Sequence, residues 1–151
     1  MADVRAVVGG LALASPIIAA AGPLTETGER MRACVAGGAA AVVARTASAP
    51  APWPGGAAQT GTAGAPRGSL LTNETWSPRP ATDHLADYMA ARESGAPLII
   101  SLGHTAEHIR LLAPLARPSA DAVEICTQFW DEEPATMAAA VRQAKGEFAV
   151  P

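Results

Sequence analysis

The chain has 151 residues, 49% of them apolar, enough for one domain with a sizeable core. Aromatics make up only 4%, so that core is built from Ala, Val, Leu and Ile, a set suited to close packing of helices on a sheet. The formal charge is −3 and the basic residues stand singly, with no stripe to neutralise phosphates, which argues against nucleic-acid binding.

At the N-terminus, MADVRAVVGGLALASPIIAAAG is apolar but does not read as a leader: Asp3 offsets Arg5, and Gly9-Gly10 and Ser15-Pro16 divide the run into short pieces. No uninterrupted apolar run reaches the roughly eighteen residues of a membrane span. The chain is therefore read as soluble and cytoplasmic, with no membrane partner. Cys34 and Cys126 lie far apart in apolar settings and form no CxxC pair, as expected of two reduced thiols.

Val4 to Val8 and Leu11 to Leu13 are β-prone runs joined by Gly9-Gly10, which predicts an opening hairpin. Pro16 leads into IIAAA, a first buried strand that ends at Gly22-Pro23. Thr25 or Thr27 can cap a helix through Glu29 to Val35, which Gly37-Gly38 stops. AAVVAR, residues 40–45, is a second strand, apolar until its last residue, as in strands covered on both faces.

Residues 46–80 are rich in Ala, Pro, Gly, Ser and Thr, with WPGG, TGTAGAP and WSPRP as turn signals, and are predicted to form one long irregular βα loop of functional importance, the alternative being a disordered linker between two small domains. Regular structure resumes with a helix at Ala81 to Glu93, a strand at Pro97 to Leu102, a helix at Thr105 to Ala116, a strand at Ala120 to Cys126 and a helix at Pro134 to Lys145. Strand followed by helix, four times over, predicts an α/β fold with parallel strands joined by right-handed crossovers.

SPIIAAAGPL resembles the N-P-V-x-x-A-S-G signature on the first barrel strand of dihydroorotate dehydrogenases, and AAVVARTAS is similar to that family's second strand, which usually ends in Lys before Thr or Ser. SLLTNETWS resembles the Leu-Asn segment of its active-site loop, and DAVEICTQ the D-A-L-E-L-N-x-S segment of its fourth strand. The likeness runs in order from Val4 to Pro151. It implies an FMN-containing (β/α)8 barrel, an oxidoreductase acting on CH–CH groups in pyrimidine metabolism.

Such barrels need roughly 250 residues or more, whereas this chain offers four βα units. The expected architecture is thus a single domain over residues 1–151: a short N-terminal β-hairpin and a parallel (βα)4 half of a TIM barrel, its N-terminal half. Four parallel strands leave two open edges, so the half-barrel is either a fragment or a unit completed by a partner chain or a second copy. A non-catalytic half-barrel subunit is the alternative to the enzyme.

By this resemblance Ala20, Ala21, Gly22, Arg45, Thr46, Ser101 and Cys126 would bind FMN, and Arg45, Asn73 and Trp76 a small-molecule substrate. Arg45 is expected to face the barrel mouth near Gly22, Ser101 and Cys126, where a guanidinium could hold a carboxylate, with little weight in fold stability; the alternative is a surface Arg paired with a loop carboxylate. The fourth strand departs from the family. Cys126 stands in place of its Asn, and Gln128-Phe129-Trp130 stand where its catalytic Cys or Ser would follow, so no base is assigned.

HTAEH, residues 104–108, matches the H-x-x-E-H pattern of inverted zinc peptidases, yet the simpler reading makes Thr105 a helix cap with Glu107 in the first turn. No metal is assigned. Asp131-Glu132-Glu133 before Pro134 likewise suits the start of a helix.

Overall fold

The computed structural model describes residues 4–49, 59–61, 71–73, 77–103, 105–126 and 134–150. Strands β1 (Ala6–Val8) and β2 (Leu11–Leu13) form an antiparallel hairpin with Val8 opposite Leu11. The two-residue turn has φ of 57° at Gly9 and 92° at Gly10, positive at both central positions, so two glycines are what this turn requires.

The main sheet is parallel and four-stranded, ordered β3 (Ile18–Ala19), β4 (Ala41–Ala47), β7 (Leu98–Leu102), β8 (Ala122–Ile125). Between them run α1 (Gly28–Ala36), α2 (His84–Arg92) and α3 (Ala106–Ala116), and α4 (Pro134–Glu147) follows β8. A separate antiparallel pair, β5 (Gln59–Gly61) and β6 (Leu71–Asn73), lies within residues 46–80. That segment is therefore not the wholly irregular loop expected; its polar, glycine-rich composition hides an isolated ribbon with no apolar alternation to announce it.

One core joins sheet and helices. Val42, Ala44, Ala47, Leu98, Ile100 and Leu102 cluster with Met31 of α1, Tyr88 and Ala91 of α2, Ile109 and Leu112 of α3 and Ala140 of α4. Because these strand positions share one face, all four helices cover that face. At the N-terminal ends of the strands the hairpin covers the other: Leu13 is buried, and Leu11, Leu13, Ile18, Ile99 and Ala122 line a cavity of about 190 Å³ there. The strand ends that carry the βα loops stay clear of it.

The first strand is shorter than the apolar run IIAAA suggests. Among the described residues only Ile18 and Ala19 pair, against Ala41 and Val42, because β3 has there a neighbour on one side alone and alanine contributes little to a pleated surface. Of the two candidate caps, Thr27 takes the α1 N-terminus, accepting from the Arg30 amide. Thr25 instead closes the preceding turn, its hydroxyl accepting from the Gly22 amide. Thr105 caps α3 as expected, accepting from the His108 amide.

Helices α1 and α2 meet at Gly28. A Cβ built there would lie 2.7 Å from Ala90 Cβ and 2.9 Å from the Asp87 carbonyl oxygen, and the Gly28 amide donates to Asp87 Oδ1 at 2.9 Å. Gly28→Ala should force the two helices apart and cost about 1–3 kcal/mol, the range for an overpacked contact, read as a lowered urea midpoint at constant slope.

Candidate functional site

The sheet delivers its functional side chains to the C-terminal ends of the strands, where open α/β sheets bind ligands. A bulge sets the pattern. Ala44 pairs with Ile100 and Ala47 with Leu102, so Arg45 and Thr46 together stand opposite the single residue Ser101. The extra residue lets Ala44 and Ala47 both face the helices while Thr46 turns to the opposite face.

On that face a row of polar groups crosses three strands. Thr46 Oγ1 lies 2.9 Å from Ser101 Oγ, and Ser101 Oγ donates to Glu124 Oε1 at 2.8 Å. Since the one hydroxyl proton of Ser101 goes to the carboxylate, Thr46 donates to Ser101. Thr46 and Ser101 are buried and Glu124 is exposed. Two shielded hydroxyls thus orient a solvent-facing carboxylate.

A second network ties the loops together. Arg45 is 8% exposed and forms an ion pair with Glu26 of the β3–α1 loop. Ser77 Oγ donates to Glu26 Oε1 at 2.7 Å, and the Ser77 amide donates to the Thr46 carbonyl. Arg79 donates to Asp87 Oδ2 at 2.6 Å and to the carbonyl oxygens of Glu26 and Asp83. Asp87 in turn accepts from the Gly28 amide. The end of the long connection is thereby fastened to the N-terminal ends of α1 and α2.

Two rings lie buried beside this network. His84 and Tyr88 stack at 5.9 Å between centroids, and neither His84 Nε2 nor the Tyr88 hydroxyl has a protein hydrogen-bond partner among the described residues. Burial, helped by the Arg79 charge, holds the His84 pKa below its usual value, and burial pushes Tyr88 upward. Burial also pushes the Glu26 carboxyl up, but hydrogen bonds from Ser77 and Arg45 and the Arg45 charge outweigh it, so its pKa is lowered.

The lowered pKa values of His84 and Glu26 make the fold acid-sensitive. The unfolded chain binds protons at His84 and Glu26 that the folded chain resists, so stability is full above the ordinary histidine value of 6.5. It falls as pH drops from there, through His84 first, and falls further below the ordinary carboxyl value of 4.5, through Glu26. In His84→Gln the first loss, measured as thermal midpoint between pH 7 and pH 5, should be reduced.

Among the residues named from the sequence, Thr46 and Ser101 come together directly. Ala20 is exposed and Ala21 and Gly22 are half-buried in the β3–α1 turn, where Thr25 bonds the Gly22 amide. Cys126 follows β8, half-buried, its amide donating to the Leu102 carbonyl. Arg45 is engaged by a loop carboxylate, the alternative weighed for it, but is buried rather than on the surface, because a guanidinium at the end of an apolar strand needs its counter-charge close by. Asn73 lies on β6 opposite Gln59. Trp76, His104, Gln128, Phe129, Trp130 and the acidic run 131–133 lie outside the described residues.

Glu26, Ser77 and Glu124 were not singled out from the sequence. Glu124 carries a usable signal, a charge inside the otherwise apolar strand ADAVEIC. Ser77 carries none, since nothing local marks it as the residue that returns to Glu26. Among the described residues no group of three His, Cys, Asp or Glu could hold a metal ion, and no helix is long and apolar enough to cross a membrane. A polar cleft of about 450 Å³ beside Arg92, Pro97 and Asp121 lies at the opposite, N-terminal ends of the strands.

No protein-family model matches the chain, and no curated protein matches it significantly.

Proposed function

We propose that the chain supplies the first four βα units of an FMN-dependent oxidoreductase barrel of the dihydroorotate dehydrogenase-like group, acting on a CH–CH bond of a small-molecule substrate. The observation that carries this reading is the sheet itself. Among the described residues four parallel strands adjacent in chain order have the four helices on one face, and β3, β4 and β8 carry three of the segments that resemble that family, in the family's order.

The residues present fit a flavin in shape. From Ala19 to Gly22 no side chain exceeds a methyl group, so a flat ring could approach the backbone, and the hydroxyls of Thr46 and Ser101 lie on the same face as Glu124. Ala20, Ala21 and Gly22 would lie against the ring, while the buried Thr46 and Ser101 would act through Glu124, the member of the row that reaches solvent, and Arg45 is held by Glu26. Bound flavin would supply the hydride acceptor, while the chain binds and orients.

The test is a titration of FMN with the purified chain, followed by quenching of flavin fluorescence. Saturable quenching that Thr46→Val and Ser101→Ala both weaken is the expected result. No quenching at any protein concentration overturns the flavin reading. A second reading, a half-barrel that acts as a non-catalytic subunit, is favoured by one observation: among the described residues β3 and β8 each have a strand neighbour on one side only.

A further inference from the structure

Residues 77–83 form a strap that brings the long connection back onto the sheet, and its hold is almost wholly polar. Ser77 is 0% exposed, its hydroxyl donating to Glu26 and its amide to the Thr46 carbonyl. Arg79 donates to Asp87 and to the carbonyl oxygens of Glu26 and Asp83. No other residue of the strap is buried. His84 follows at once, 1% exposed and stacked on Tyr88, itself 2% exposed, and neither His84 Nε2 nor the Tyr88 hydroxyl has a hydrogen-bond partner among the described residues.

We propose that His84 is an acid-sensitive latch for this strap: a proton on its enclosed imidazole releases residues 77–83 from Glu26 and Thr46 while the sheet stays folded. The inference is independent of the flavin. A neutral imidazole leaves at most one neutral polar atom unmatched at Nε2. The imidazolium carries a proton on both nitrogens, so Nε2 becomes a charged donor shut away from any acceptor, which costs more.

Four charged groups act on the ring from the elements around it. Arg79 of the strap repels the imidazolium, while Glu26 of the β3–α1 loop, Asp83 of the strap and Asp87 of α2 attract it. The three carboxylates are already engaged: Glu26 by Arg45 and Ser77, Asp87 by Arg79 and the Gly28 amide, Asp83 by the Thr82 hydroxyl. Burial and Arg79 prevail, in keeping with the lowered pKa of His84. The proton is therefore taken up more readily once the strap has lifted and water reaches Nε2. Because the strap buries little apolar surface, lifting it leaves the core around Ile100 and Leu102 intact. What it uncovers is the strand end that carries Arg45 and Thr46.

The open form takes up the proton near the ordinary histidine value of 6.5 and the closed form only at lower pH, so opening is constant above 6.5 and grows below it. Native-state hydrogen exchange read by NMR at pH 7.5 and 5.5, corrected for the intrinsic pH dependence of exchange, measures this at the Ser77 amide. Its protection should fall about tenfold between the two, with little dependence on added urea, and should lie below that of the Leu98–Leu102 amides at both pH values. Glu26 stays ionised throughout, since pH 5.5 lies above the ordinary carboxyl value of 4.5. In His84→Gln the fall should vanish, whereas Tyr88→Phe, which removes the other unmatched group and keeps the imidazole, should retain it. A fall that persists in His84→Gln, or protection equal at both pH values in the natural chain, overturns the proposal. So does a Ser77 amide that matches Leu98–Leu102 in protection and urea slope, because the strap would then open only when the whole fold does. The last two outcomes are read on the natural chain and do not depend on whether a variant folds.

Discussion

Glu26→Ala should destabilise the fold by about 3–5 kcal/mol, the cost of leaving one member of a buried ion pair without its partner. The side chains of Arg45 and Glu26 are 9% and 12% exposed, so solvent cannot take over for the missing carboxylate. Ser77 loses its acceptor in the same variant, which loosens the return of the long connection onto the sheet. Arg45→Met should cost a similar amount by stranding Glu26. The pair Arg45→Met with Glu26→Met should cost far less than the sum, since two apolar groups of similar bulk leave no buried charge behind. A urea-denaturation double-mutant cycle measures this, and additive single effects would show that the two residues act independently.

This result would reverse the weight that the sequence alone places on Arg45. Read along the strand, AAVVAR ends in a cation that has to meet an anion, and the order of the strands points to the region near Ser101. Nothing in that segment tells whether the anion is a ligand or a carboxylate of the chain. The answer lies nineteen residues upstream, at Glu26, and depends on how the β3–α1 loop turns back over the strand end. Pairings of that separation are set by tertiary geometry, which no local pattern encodes.

Elements with local causes were legible. Gly9-Gly10 dictates the hairpin, Thr105 dictates the start of α3, and the apolar runs at 41–44 and 98–100 dictate strands flanked on both sides. What escaped was the β5–β6 ribbon and the bulge at Arg45-Thr46. The bulge matters most for the site. Strict alternation along β4 would put Thr46 on the helix side with Ala44; one extra residue puts it beside Ser101 instead. A one-residue shift of this kind changes the face of a side chain without changing composition, so it is invisible to periodicity.

Truncation at the sheet–helix interface is the second large effect. Ile100 is 0% exposed on β7, a strand with neighbours on both sides, and belongs to the cluster that joins the sheet to the helices. Ile100→Ala should cost about 2–5 kcal/mol, because the removed methyl groups lose their burial and close packing hinders the surroundings from collapsing into the space. Its neighbour Ile99 points to the other face, where it is only half-buried beside the hairpin cavity. Ile99→Ala should therefore cost distinctly less, since part of the lost surface was already in water. Denaturation midpoints of both variants, with the slope unchanged, make the comparison; equal costs would show that Ile99 is packed as closely as Ile100.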